Sequence, residues 1–200
     1  ERLALDLDNA FYGVAEGLIS SFKEQEDFDG FKLSVIVNFG IDTRITAAEF
    51  KSTNAQNLAE KLYTEATENY QQKMDSLKMQ AIPVFQNIRN TQGQHIENVV
   101  VPFTDGRKGV NVMSNMSKTL DSNGRELVNA LEKTITLNLI DDTWKEHLRA
   151  MDDLKQSVQT AYLEQKDPLV IYKVEAFELF RKMDGEVNRD IVSFLCHSGI

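Results

Sequence analysis

The sequence has 200 residues with a formal net charge of -9, and 42% of its residues are hydrophobic. That apolar fraction is enough for a sizeable folded core, whereas the acidic balance argues against a protein that binds nucleic acid through a basic surface. The single cysteine, Cys196, excludes an internal disulfide and a cysteine-based zinc site and fits a reducing cytoplasm. No apolar run approaches the roughly 20 residues needed to span a bilayer, so we expect any membrane association to be peripheral.

The chain opens on a helical pattern without an initiator methionine or an N-cap residue. Apolar residues recur at steps of three and four, at Leu3, Leu7, Phe11, Val14, Leu18 and Phe22. We therefore expect residues 1–23 to be the end of a long helix, and the chain to be a fragment of a longer protein. Gly13 and Gly17, four residues apart, indicate either a close helix crossing or glycines tolerated at a cost of about 1 kcal/mol each.

An acidic break follows at residues 24–30, with the sequence EQEDFDG. We interpret it as a solvated turn rather than a divalent-cation site, because its carboxylate spacing matches no known loop. Residues 31–39 are apolar and β-branched, which is compatible with a short strand or a buried helix. The helical neighbours favour a helix.

A capping box at Thr46 and Glu49 predicts the next helix start, since each side chain can reach a free backbone N–H of the other. The helix is expected to run to about Arg89, with a kink or restart at Pro83. Its apolar stripe consists of Leu58, Leu62, Ala66, Tyr70, Met74, Leu77 and Ile82. We interpret its methionines, Met74 and Met79, as adaptable core residues rather than a partner groove.

The periodicity changes at residues 97–113, where β-branched residues flank Asp105 and Gly106. This dipeptide suits a tight turn, so the segment is predicted to be a β-hairpin. Pro102 cannot donate a hydrogen bond to a neighbouring strand, and we expect it at an edge or a bulge. Because an isolated two-stranded ribbon is only marginally stable in water, the hairpin should pack on a helix.

Asn123 as N-cap and Glu126 three residues later predict the start of a long helix. It is expected to reach about Thr160, a length on the order of 55 Å. Its apolar positions are Leu131, Ile135, Leu137, Ile140, Trp144, Leu148, Met151 and Leu154. Trp144 is the largest of these side chains, and we expect it to be the main buried anchor of the helix.

Asp167 and Pro168 interrupt the helical pattern and predict the first turn of a further helix. Apolar residues then return at helical spacing, at Val170, Ile171, Val174, Phe177, Phe180 and Met183. The two helices form a predicted hairpin with its tip near residues 160–166. Together the elements predict a mostly α-helical fold of long helices with a helical hairpin and a small β-hairpin insertion.

The sequence contains no recognisable catalytic or nucleotide-binding constellation. It has neither the GxxxxGK[ST] loop that cradles phosphates nor a dinucleotide fingerprint. The histidines at 95, 147 and 197 lie far apart and have no second ligand at helical spacing, which argues against a local metal pair. We interpret His147 as an ordinary surface or boundary residue, and Cys196 as a small thiol near a fraying C-terminal end. The chain is expected to hold no catalytic residue, cofactor or metal.

The helical hairpin carries a resemblance to a known family. WKEHLRAMDDLKQ from Trp144, followed by EQKDP and YKVEAFELF, resembles the C-terminal signature of SecA, the bacterial preprotein translocase ATPase. The resemblance implies that the hairpin is the two-helix finger of the helical scaffold domain. By order along the chain, residues 1–23 and 119–200 would belong to the scaffold, and residues 24–118 to a helical wing-like domain that contains the β-hairpin.

In that family the fingertip dips into the SecYEG channel and meets the polypeptide being moved. The resemblance therefore implies polypeptide contacts at Thr160, Ala161, Tyr162 and Leu163. Leu163 takes the position five residues before Pro168 where the family usually has a tyrosine, and Tyr162 precedes it. Either side chain is a candidate for the contact with substrate.

The resemblance also implies what lies around the chain in a parent protein. ATP and Mg²⁺ would be bound by an absent motor, and the partners would be the other motor domains, the SecYEG channel and unfolded preproteins. The location would be the cytoplasm and the cytoplasmic face of the inner membrane. An alternative is a helical adaptor module that binds partner proteins through the flank of its long helix without coupling to a motor.

Overall fold

The structure is a computed structural model and describes residues 2–92, 95–158 and 167–200. These residues form seven helices and one antiparallel two-stranded sheet, which confirms the predicted fold class. In chain order the elements are α1 (Arg2–Glu24), α2 (Phe28–Phe39), α3 (Ala47–Ser52), α4 (Ala55–Gln92), β1 (Asn98–Thr104), β2 (Gly109–Asn115), α5 (Met116–Asp121), α6 (Arg125–Ser157) and α7 (Pro168–His197). Within the described ranges, none of the helices combines the length and apolar character needed to cross a membrane.

The α1 helix contains both glycines that raised the alternative of a close helix crossing. A Cβ atom added at Gly13 or Gly17 would meet nothing within 4 Å. The two glycines therefore face open space, and the interpretation of a close crossing is wrong. The buried side of α1 is formed instead by the apolar positions Leu7, Ala10, Phe11, Val14, Ala15 and Ile19.

The acidic segment after α1 supplies the cap of α2. The Asp27 side chain accepts a hydrogen bond from the Gly30 N–H at 2.9 Å, which satisfies a free donor of the first turn. The preferred helical interpretation of residues 31–39 is confirmed. The helix ends at Gly40, whose φ of 67° is left-handed and whose N–H donates to the Ile36 carbonyl.

The predicted single helix from Thr46 to Arg89 is wrong, because the chain breaks it into α3 and α4. Thr46 caps α3 as predicted, accepting from the Glu49 N–H at 3.3 Å. The helix then stops at Ser52, and the Asn54 side chain accepts from the Asn57 N–H at 2.8 Å and starts α4. Asparagine favours such caps over helix interiors because its side chain competes for backbone donors.

The α4 helix continues through Pro83 to its end at Gln92. Met74 is buried in the core as predicted, but Met79 is 74% exposed. The interpretation of Met79 as a core residue is therefore wrong. The core-facing stripe of α4 passes instead through Leu77 and Ala81 to Phe85.

The β-hairpin forms where the sequence predicted it, and it buries one face. Val101 and Phe103 on β1 and Val112 on β2 are at most 7% exposed, and β2 contacts α6. Thr104 exchanges two backbone hydrogen bonds, at 2.9 and 3.0 Å, with Gly199 on the side away from β2. Backbone nitrogens two residues apart on a strand point to the same side, so the Pro102 nitrogen lies at the same outer edge as that of Thr104. No hydrogen bond to β2 is lost there by the missing N–H. The predicted edge position of Pro102 is confirmed.

The start of α6 differs from the prediction by one residue. Gly124 occupies the N-cap position with a left-handed φ of 83°, and Asn123 is also left-handed with φ of 53°. The predicted cap at Asn123 is wrong, because the side chain that accepts a hydrogen bond from the Glu126 N–H is Ser122, at 3.0 Å. Gly124 itself is buried where α6 approaches Lys78 of α4.

The core consists of two apolar clusters. The first joins α1, α4, the β-hairpin, α6 and α7, and the second joins α1, α2, α3, α4 and α7. Tyr70 of α4 packs against both clusters. Each cluster contains residues from all three segments that the sequence predicted, so the wing-like and scaffold-like segments share their apolar interior.

Candidate functional site

The candidate site is the helical hairpin of α6 and α7, whose base is packed into the first cluster. Leu131 and Ile135 of α6 are at most 1% exposed, and Ile191 and Leu195 of α7 are at most 3% exposed. These side chains fix the ends of the two helices that lie farthest from the predicted tip. The hairpin is thus anchored at its base.

The part of the hairpin nearer the tip exposes a large apolar surface. Its side chains are 45–60% exposed and come from both helices: Leu137, Ile140, Trp144 and Leu148 of α6, and Leu169, Val170, Val174, Phe177 and Phe180 of α7. We call these residues the apolar flank. The prediction that Trp144 is the main buried anchor is wrong, because helical spacing identifies an apolar face but does not show that anything covers it. Apolar surface of this extent is typical of interaction sites.

Aromatic contacts join the two helices across this flank. The Trp144 and His147 rings are 5.4 Å apart between centroids, and the His147 and Phe180 rings are 6.1 Å apart. The Arg181 guanidinium lies 5.8 Å from the centroid of Phe177. His147 is half-buried between aromatic rings, which fits the predicted boundary position. The tilted Trp144–His147 pair and the edge-to-face His147–Phe180 pair connect α6 and α7 outside the core.

Trp144→Ala is expected to reduce the free energy of unfolding by only about 1–2 kcal/mol, since about half of the side chain already lies in water. Leu131→Ala on the same helix is the matched control, and it should cost about 2–5 kcal/mol because Leu131 is fully buried. Urea titrations followed by circular dichroism measure both values. A loss at Trp144 as large as that at Leu131 would contradict the exposed position.

The second hairpin helix begins as the sequence predicted. The Asp167 side chain accepts a hydrogen bond from the Leu169 N–H at 2.9 Å, and Pro168 occupies the first helical position. The predicted polypeptide-contacting residues, Thr160, Ala161, Tyr162 and Leu163, lie outside the described residues. Their role stays a prediction.

The last turn of α7 is tied to three other elements by polar contacts. The Ser193 hydroxyl donates to the Val37 carbonyl at 3.2 Å, and Nε2 of His197 lies 3.2 Å from the Ile36 carbonyl. Lys73 Nζ of α4 donates to the Cys196 carbonyl at 2.7 Å. With the bridge from Gly199 to Thr104, these contacts form what we call the terminal clasp. The clasp connects the base of the hairpin to α2, α4 and β1.

The terminal clasp overturns the prediction of a fraying C-terminal end. Cys196 is 3% exposed, and burial raises the pKa of its thiol to about 12 although nearby Lys73 opposes the shift. The thiol is therefore neutral and unreactive at neutral pH, in agreement with its interpretation as a small thiol without a catalytic role. The clasp could not be predicted from the sequence, since its acceptors are main-chain carbonyls of distant segments.

A second polar link connects α4 to the hairpin. The Tyr70 hydroxyl donates to Glu132 Oε1 at 2.7 Å. Burial, together with the neighbouring Glu132 charge, raises the pKa of Tyr70 well above its ordinary value, and burial likewise raises the pKa of Glu132. The hydrogen bond from Tyr70 opposes the shift at Glu132 because it stabilises the carboxylate. The pair fixes α6 to α4 at a second point, about one helical turn along α4 from Lys73 of the clasp.

One known protein family matches almost the whole chain. The model of the SecA wing and scaffold domain matches residues 2–199. The chain belongs to this family. The resemblance noted in the hairpin residues is thereby confirmed and extends over the helices and the β-hairpin that precede them.

Individual relatives support the SecA assignment. A protein translocase subunit SecA from Christiangramia forsetii is 46% identical over 195 residues, which cover 98% of this chain and 17% of the relative. Proteins of the same name from Cytophaga hutchinsonii and Flavobacterium psychrophilum are each 43% identical, over 100% and 98% of this chain and 18% of the relative. The chain thus spans less than a fifth of the length of these SecA relatives.

Proposed function

We propose that this chain is a non-catalytic wing and scaffold element of a SecA-type translocase, and that its helical hairpin moves or guides unfolded preproteins through the SecYEG channel. The observation that carries the proposal is the anchored hairpin with an exposed apolar flank, in a chain of the SecA wing and scaffold family. In this proposal the motor that binds ATP and Mg²⁺ lies in other parts of the parent protein. The parent would act in the cytoplasm, at the cytoplasmic face of the inner membrane.

The geometry of the hairpin suits the transmission of movement. The α6 helix has 33 residues and is therefore about 50 Å long. The core and the Tyr70–Glu132 pair hold its N-terminal part, and the terminal clasp holds the C-terminal end of α7. A displacement of the base would reach the far end of the hairpin because both helices are continuous over their described lengths.

We also propose the division of the chain that the sequence suggested. Residues 1–23 and 119–200 would form part of the scaffold, and residues 24–118 a helical wing-like domain. The shared core and the clasp support a wing that moves with the scaffold as one body.

Photo-crosslinking at the tip tests the proposed contact with substrate. A photoreactive residue is placed at Tyr162 or Leu163, one at a time, in the full-length parent with a preprotein arrested in the channel. We expect crosslinks from at least one position to the arrested chain. Asp152 is the control site, because it is exposed on the charged side of α6 beside Lys155 and should give no such crosslink.

The adaptor alternative predicts the opposite pattern. An adaptor would bind partners through the apolar flank, so crosslinkers at Phe177 and Leu148 would capture other proteins while both tip positions captured no preprotein. That outcome would overturn the proposed finger. The two results are distinguishable within a single set of variants.

A further inference from the structure

One edge of β1 is open over most of its length. Every second residue of the strand directs its backbone groups away from β2, and these residues are Asn98, Val100, Pro102 and Thr104. Thr104 bonds to Gly199 on that side, whereas no hydrogen bond within the described ranges reaches the outward groups of Val100. Val100 is 58% exposed, and Asn98 and Pro102 are exposed as well. A strand edge with free donors and acceptors is a template for a further strand.

The chain already begins a third strand at this edge. The N–H of Gly199 donates to the Thr104 carbonyl at 2.9 Å, and the N–H of Thr104 donates to the Gly199 carbonyl at 3.0 Å. Ser198 before it is extended, with φ of -65° and ψ of 144°. The bridge is antiparallel. A polypeptide that runs on from Gly199 in an extended conformation therefore passes along the open edge towards the start of β1.

The register of such a strand follows from the bridge. Each step forward from Gly199 matches one step back along β1, so the third residue after Ile200 would lie opposite Val100. Its backbone would complete both outward hydrogen bonds of Val100. The second and fourth residues after Ile200 would point to the core side, beside Val101 and Val99. Val99 is only half-buried although Val101 is buried, so an apolar residue opposite Val99 would extend the core.

We propose that the polypeptide following Ile200 in the parent protein forms a third strand on the open edge of β1, antiparallel to it from Thr104 to Asn98. The inference rests on the proposal that the chain is part of a longer protein, but not on the movement of preproteins. A tethered segment binds this edge better than a free one, because its first pair of hydrogen bonds exists and the tether keeps its effective concentration high. A separate polypeptide would find only the edge from Asn98 to Pro102, without a donor at Pro102.

Hydrogen exchange of single backbone amides, measured by mass spectrometry with fragmentation, tests the third strand. The two proteins compared are the full-length parent and the same protein ended after Ile200. The Val100 N–H should exchange at least about tenfold more slowly in the full-length parent, since only there does it have an acceptor. The Val101 N–H is the internal control. It bonds to β2 in both proteins, so its rate corrects for any change in the stability of the hairpin.

Matched proline variants of the full-length parent locate the contact. Val100→Pro removes an outward donor of β1 and leaves the hydrogen bonds between β1 and β2 in place. It should make the segment after Ile200 at least about fivefold more susceptible to limited proteolysis. Met113→Pro is the control, because Met113 lies opposite Val100 in the register and its N–H points away from β1 at the other edge. This variant should leave the segment as protected as in the unchanged parent.

Three results would each overturn the third strand. The first is an equal corrected exchange rate of the Val100 N–H in the two proteins. The second is slower exchange of Val100 in the shortened protein when an unfolded preprotein is added, which would make a separate polypeptide the occupant. The third is equal proteolysis of the segment in the two proline variants. A failed crosslink at the hairpin tip would overturn the proposed finger without altering any of these readouts.

Discussion

Phe11→Ala is expected to lower the free energy of unfolding of the chain by about 3–5 kcal/mol. Phe11 is 2% exposed, and its ring lies 6.1 Å from Phe39 of α2 and 5.2 Å from Tyr70 of α4, between centroids. Truncation would leave a cavity where three helices meet, because the rings around it belong to separate elements that cannot all move inward. Urea unfolding followed by circular dichroism gives the value.

Phe177→Ala is the matched control for Phe11. Phe177 is 60% exposed on the apolar flank, so its removal should cost no more than about 1 kcal/mol. A loss below about 1 kcal/mol at Phe11 would show that α1 is not held by α2 and α4 in the way described.

Gly124→Ala is expected to destabilise the chain by about 2–4 kcal/mol, because two costs combine at this position. The φ of 83° is unfavourable for any residue with a Cβ atom, and a Cβ there would approach Lys78 Cγ to 2.8 Å and Lys78 Cβ to 3.0 Å. These atoms lie close to the α4 backbone, so relief of the clash requires the start of α6 to move away from α4. Thermal and urea unfolding measure the loss.

Gly106→Ala is the control that separates the cost of the positive φ from the cost of the clash with Lys78. Gly106 has a similar φ of 87° in the turn of the β-hairpin, but a Cβ atom there would meet nothing within 4 Å. This variant should therefore show only the backbone cost, about 1–2 kcal/mol. Equal losses at Gly106 and Gly124 would mean that contact with Lys78 contributes nothing.

The sequence predicted those elements whose signals are local. The β-branched residues on both sides of Asp105 and Gly106 predicted the β-hairpin, and Asp167 with Pro168 predicted the start of α7. Helix starts were predicted less well, because the start of α4 depends on the Asn54 side chain and the first turn of α6 on the Ser122 hydroxyl, and neighbouring polar side chains compete for such backbone donors. A helical or strand pattern repeats over many residues, whereas a helix cap depends on a single side chain.

Burial along the hairpin could not be predicted from the sequence in the same way. Leu131 and Trp144 both belong to the predicted apolar positions of α6, yet Leu131 is fully buried and Trp144 is 45% exposed. The difference arises because α1, α4 and the β-hairpin surround Leu131. The residue pattern within α6 contains no information about these neighbouring elements. The terminal clasp was missed for the same reason, because Ser193 and His197 find their acceptors on α2.

The terminal clasp also sets an order of events during synthesis. A ribosome releases α2 and β1 well before Ser193, His197 and Gly199. Until those residues emerge, the Ile36 and Val37 carbonyls and the backbone of Thr104 at the outer edge of β1 lack the partners that Ser193, His197 and Gly199 give them. A nascent chain stopped before α7 therefore leaves the Thr104 end of β1 free to pair with other polypeptides. The contacts of α2 and of Thr104 are therefore complete only after α7 and Gly199 have been made.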